Sequence, residues 1–213
     1  MNLKVLLIIL YTISLTATEV SEFNIMKIKL SMNEEEVINQ LFCTNPKIEN
    51  RINLNDKSII PIKIISCKSQ NKHIRVYLDR YLHVISIEYS IYFEVEPNWD
   101  IIEKKFFKKY GHFSKKNIEL YDSNKSIYTD FCWGDNCLYN KKEKKYKNTS
   151  NEKTLHISMK NHNCSSSSCP FDGQNIFFRL VDMKKKSEQE KYFKEAYKRL
   201  EDRKRDKASN IDF

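Results

Sequence analysis

Ile85, Ile87, Tyr89, Ile91 and Phe93 alternate with Ser86, Glu88 and Ser90. Successive side chains of an extended chain point to opposite faces, so this stretch is predicted to be a long strand with one buried face and one polar face. Strands of that kind build antiparallel sheets that are covered on one side. Shorter versions of the pattern stand elsewhere. Ile60, Ile62 and Ile64 alternate with Pro61, Lys63 and Ile65, and Pro61 favours a strand start or a sheet edge. Ile74, Val76 and Leu78 alternate with charged or polar neighbours. Three further strands are predicted at Ile127 to Trp133, Leu155 to Met159 and Ile176 to Val181, with a polar loop from Asn140 to Lys153. Phe23 to Leu30 is predicted to be a short strand of its own.

Helix signals punctuate these strands. Asn33 is a good N-cap with Glu36 three residues on, an approximate capping box, and Met32 and Val37 form a candidate hydrophobic staple. Glu34, Glu35 and Glu36 suit the positive end of the helix dipole. Val37, Ile38, Leu41 and Phe42 make one apolar stripe, and the helix is predicted to end near Cys43, before Pro46. A second helix opens at Pro97 or Asn98, carries Trp99, Ile102, Phe106 and Tyr110 at helical spacing, and stops at Gly111. A third runs from about Lys186 to Lys207, with Tyr192, Phe193, Ala196, Tyr197 and Leu200 on its apolar face. Docking of that face on the protein's own sheet is the expected arrangement; presentation to a partner or to an anionic membrane is the alternative.

The order is helix, three strands, helix, three strands, helix. It predicts an α+β fold: two α-β-β-β units with antiparallel sheets covered by helices, plus a C-terminal helix. Residues 18–185 form the α+β domain, with possible halves at 23–95 and 96–185, and 186–213 form the charged helix and tail.

Residues 1–17 read as a cleavable secretory signal. Lys4 gives a positive start, Val5 to Leu15 an apolar run, and Ala17 a small residue for cleavage. The run is short of the roughly 20 apolar residues that span a bilayer. No later segment is apolar enough to cross one, so the mature chain is expected to have no transmembrane segment and to be periplasmic or secreted. The formal charge of +9 falls to +8 once Lys4 is removed. A composition rich in Lys, Asn and Ile weakens that charge as a sign of a partner, and nucleic acid is not expected outside the cell. An unknown protein or cell-envelope component is the expected partner.

Export also decides how six cysteines are read, because oxidising compartments favour disulfides. Cys132 and Cys137 are close in sequence, as are Cys164 and Cys169, which leaves Cys43 and Cys67 to each other. Pairing of Cys137 with Cys164 is an alternative. A four-thiolate zinc site is the other alternative, although zinc more often uses tighter spacing than these two C-x4-C pairs.

Several stretches resemble a loose group of bacterial exported proteins. Lys29-Leu30-Ser31-Met32-Asn33-Glu34-Glu35-Glu36-Val37, with Leu41, is similar to that group's Leu-Gly-Met-Ser/Thr-x-Glu-Glu-Val helix start, with Ser31 where the group has Gly. Lys109-Tyr110-Gly111 is similar to its helix end, and Trp133-Gly134 and Leu180-Val181-Asp182 to its later segments. The resemblance implies a fold like the β-lactamase-inhibitor protein or the small outer-membrane assembly lipoproteins, which bind or scaffold rather than catalyse.

No catalytic, cofactor-binding or metal-binding residue is assigned from the sequence. Phosphate-cradling glycine motifs are absent. His73, Asp79 and His83 read as surface residues around a hairpin turn, without a third convergent ligand. His156 and His162 precede Cys164, so a thiol-dependent hydrolase or redox enzyme is the alternative to a non-catalytic binding protein, but no orienting third residue accompanies them. Of the aromatics crowded between Tyr89 and Phe113, most are expected in the core. Tyr92 and Phe107 fall off the main apolar faces and are the candidate contact surface.

Overall fold

The structure, a computed structural model, describes residues 22–50, 63–121, 126–134, 137–140, 145–148, 153–162 and 174–209. The signal-like segment, Ile60 to Ile62, Cys164 and Cys169 lie outside these residues. The chain runs through a small hairpin, β1 (Asn24–Ile25) and β2 (Ile28–Lys29), then α1 (Glu34–Gln40), β3 (Lys47–Asn50), β4 (Lys63–Lys68), β5 (Lys72–Leu78), β6 (Val84–Tyr92) and α2 (Trp99–Tyr110). It continues with β7 (Lys115–Tyr121), β8 (Ser126–Trp133), β9 (Cys137–Asn140), β10 (Lys145–Asn148), β11 (Lys153–His162), β12 (Asn175–Asp182) and α3 (Met183–Ser209).

Eight strands form one antiparallel sheet in the order β3-β4-β5-β6-β12-β11-β8-β7. The predicted α+β class is thus present, with a helix before each meander. Each meander has four strands rather than three, and the two are joined into a single sheet by the pairing of β6 with β12. The extra strands β3 and β7 are the two edges. Edge strands bury little and are commonly blunted with Lys; Lys47, Lys115 and Lys116 stand there and hide the apolar alternation. The polar stretch predicted as a loop contains β10, which pairs with β9 as a separate hairpin.

One face of the sheet holds the core. Val76, Ile87, Leu180, Leu155 and Trp133 are successive cross-strand neighbours on it, followed by Ile74, Tyr89, Phe178, Ile157 and Phe131. Phe23, Ile25 and Ile28 from the hairpin, Val37 from α1, and Phe106 and Tyr110 from α2 join the same buried cluster. The capping box at α1 is complete: the Glu36 N–H donates to Asn33 Oδ1 at 3.0 Å, and the Asn33 N–H to Glu36 Oε2 at 2.7 Å. The helix stops at Gln40, a turn short of Cys43, because Leu41 is already extended. The α2 signals hold as read, with Asn98 capping and Gly111 at φ 75° ending the helix. Trp133 Nε1 donates to the Gly111 carbonyl at 3.0 Å, and the Tyr110 hydroxyl to the Asn24 carbonyl at 3.1 Å, so helix, sheet and hairpin are locked through aromatic polar tips.

Candidate functional site

The opposite face of the sheet is polar and is crossed by the start of α3, which touches β6, β11 and β12. Asp182 ends β12 and starts the helix without a loop: its Oδ1 accepts the Lys185 N–H at 2.9 Å, an N-cap bond. The helix therefore starts at Met183, three residues earlier than its charge pattern suggests.

A β-bulge shapes the ground beneath it. Tyr77 pairs with Ser86 and Leu78 with Val84, so Ile85 is the extra residue. Bulges re-aim side chains. Val84 takes the core position, whereas Ile85 turns with Ser86 to the polar face. The simple alternation that put Ile85 with Ile87 is broken here, although Ile85 remains buried, at 3% exposure.

Tyr77, Ile85, Ser86, Glu88 and Arg179 from the sheet, with Lys186, Gln189 and Glu190 from α3, line a half-open cavity of about 160 Å³. The Tyr77 hydroxyl donates to Glu88 Oε2 at 2.6 Å. Burial, helped by that bond, pushes the Tyr77 phenol up to about 12. Arg179 Nε stands 3.7 Å from Glu88 Oε1, an attraction too long for a hydrogen bond. Two buried polar atoms at this cavity have no hydrogen-bond partner among the described residues: Arg179 Nε, a donor, and Gln189 Oε1, an acceptor. Gln189 is only 7% exposed.

Rows of cross-strand partners continue from this cavity. Arg75, Glu88, Arg179, His156 and Cys132 form one, and His73, Ser90, Phe177, Ser158 and Asp130 the next. Ser158 hydrogen-bonds Asp130. Burial, with Arg179 alongside, lowers His156 to about 4, so the ring is neutral at physiological pH. A third row, Tyr92, Asn175, Lys160 and Tyr128, lies four residues along β6 from Glu88, about 13 Å away at strand rise. Here Tyr92 is 38% exposed, Phe177 and Tyr128 are half-buried, and Lys160 Nζ sits 5.7 Å from the Tyr128 ring. None of these three aromatics belongs to the core cluster.

The sequence-predicted residues divide between the two sides. Cys43 and Cys67 stand at disulfide distance, Cα to Cα 5.9 Å, and tie the segment that follows α1 to β4 on the core side. Cys132 and Cys137 do likewise at 6.0 Å, on the polar face. Tyr92 is on the polar face. Phe107 is on α2, packed against Phe113 with ring centroids 5.0 Å apart, and so on the other side of the sheet. The two candidate contact residues do not share a surface. His156 Nε2 lies 3.5 Å from Cys132 Sγ, a sulfur already at bonding distance from Cys137, while the Cys164 of the thiol alternative is outside the described residues. Asp79 organises the β5–β6 turn: its Oδ1 accepts the N–H groups of Tyr81 and His83 at 2.8 and 2.9 Å. Among the described residues no group of three or more His, Cys, Asp or Glu converges to hold a metal ion, and no helix is long and apolar enough to cross a membrane.

The cavity residues escape sequence reasoning because they come from two distant segments, the β5–β6 hairpin and the junction of β12 with α3. Their one signal is that Tyr77, Glu88 and Arg179 occupy polar positions of otherwise apolar strands. No family model, curated protein or solved structure matches the chain.

Proposed function

We propose that the chain is an exported, non-catalytic protein that binds another macromolecule, either a protein or a component of the cell envelope, through the end of the polar sheet face that carries Tyr92. The observation that carries this reading is the grouping of Tyr92, Phe177 and Tyr128 with Lys160 on a face separate from the core. Aromatic side chains within a polar surround are the composition of contact-patch centres. A sheet face whose contact residues are spread over four strands suits a broad partner better than a reacting small molecule. The disulfide-distance pairs support an oxidising location.

Site-specific photo-crosslinking tests it. A photoreactive phenylalanine analogue at position 92 is expected to give a discrete adduct in envelope or culture extract. The same analogue at Ile118, which is 60% exposed at the edge of the sheet, is the control and is expected to give none. Equal or absent labelling at the two positions overturns the proposal.

A further inference from the structure

We propose that the cavity beneath the first turns of α3 binds a small zwitterion that carries both a carboxylate and an ammonium group, of the α-amino-acid class. This site is distinct from the Tyr92 surface.

Charge balance selects the ligand. The cavity holds two cations, Arg179 and Lys186, and two carboxylates, Glu88 and Glu190. A simple anion meets the two carboxylates, and a simple cation meets the guanidinium and the ammonium. A zwitterion adds no net charge to a set in which Arg179 and Glu88 already stand 3.7 Å apart, and it offers one group of each sign. The unpartnered atoms call for the same complement: Arg179 Nε–H needs an acceptor such as a carboxylate oxygen, and Gln189 Oε1 needs a donor such as an ammonium N–H. Burying a polar atom without a partner is destabilising, and folds that retain such atoms commonly do so at functional sites. Gln189 is more than nine-tenths buried, so the surrounding solvent does not satisfy its oxygen.

Size and lining narrow the class further. About 160 Å³ is several times the roughly 30 Å³ that a water takes in the liquid. Ile85, turned in by the bulge, supplies an apolar floor. The Tyr77 hydroxyl is already engaged with Glu88, which holds that carboxylate in place for an incoming ammonium group. An amino acid with a small apolar side chain matches all three features.

Thermal melting of the oxidised protein reads the site. Proteinogenic amino acids are tested singly, beside isovalerate as carboxylate only, isobutylamine as amine only, and glucose as a neutral polyol. At about ten times Kd a true ligand is expected to raise Tm by about 3 °C or more. One or more apolar amino acids should do so, and the three controls should not. Gln189→Met removes the unpartnered acceptor, so it should raise the Tm of the ligand-free protein while abolishing the ligand-dependent rise. If that variant does not fold, Glu190→Gln, on the half-buried side of α3, should weaken binding at least tenfold. A rise with glucose or a single-charge control but with no amino acid overturns the proposal. So does the absence of any rise, or a full rise retained in the Gln189→Met or Glu190→Gln protein.

Discussion

Ser31 holds φ at 70°, in the left-handed region where a Cβ is strained. Its N–H donates to the Val84 carbonyl at 2.8 Å, which fixes the backbone whatever the side chain. Ser31→Gly is therefore expected to stabilise the fold by roughly 0.5–1 kcal/mol, less a small entropic loss in the unfolded chain. A denaturation midpoint that falls in the variant, with an unchanged slope, contradicts this. His156 offers a second residue-scale test. Its folded pKa of about 4 lies below the ordinary value of 6.5, so between those values the unfolded chain binds more protons. Stability is full above pH 6.5 and is lost as pH falls toward 4. The loss from this group is on the order of 2 kcal/mol. His73 is also lowered, by burial first and then by Arg75 and Lys68, and adds in the same direction. His156→Gln should flatten, without abolishing, the fall in urea stability between pH 7.5 and pH 5. An unchanged slope sinks the assignment.

At the scale of elements, the two cysteine pairs act on different loops. Cys43 and Cys67 are 24 residues apart, and Cys132 and Cys137 are 5 apart. Loop-closure entropy makes the first worth about 3.5 kcal/mol and the second about 2 kcal/mol. Cys43→Ser with Cys67→Ser should accordingly lower the melting temperature more than Cys132→Ser with Cys137→Ser, and non-reducing peptide maps should recover both pairings. The reverse ranking contradicts the entropic account. Elements also show where sequence reasoning succeeds. Asn33 with Glu36, and the stripe Trp99, Ile102, Phe106 and Tyr110 ending at Gly111, are local signals, so both helices are legible. Ile85 is not, because its face depends on how Tyr77 and Leu78 pair with a neighbouring strand. Strand β7 is not either, since an edge strand shows few apolar residues. The Tyr92 half of the candidate surface was visible as an off-face aromatic. Its neighbours Phe177 and Tyr128 reach it only through strand pairing, and the cavity under α3 only through a helix packed on a bulge.

At the scale of the whole molecule, the α+β class and the helix before each meander follow from periodicity, whereas the fusion of two meanders into one sheet does not. Export is the remaining whole-chain proposal. It predicts that the secreted or periplasmic product begins at Thr18, after cleavage behind Ala17. Intact mass of the recovered protein checks this, and a product retaining Met1 to Ala17 counts against it. The position of β12 carries one more consequence, a kinetic one. The last strand to emerge from a chain made N-terminus first is not a rim strand but one of the two central ones. Until it arrives, β6 is an open edge of nine residues, and the second meander is likewise unpaired along β11. The ladder that closes the sheet joins residues as remote as Glu88 and Arg179, so it is a high-contact-order step and a slow one. During that interval the open edge is one that another copy's β12 also fits, so exchange of that strand competes with closure as concentration rises.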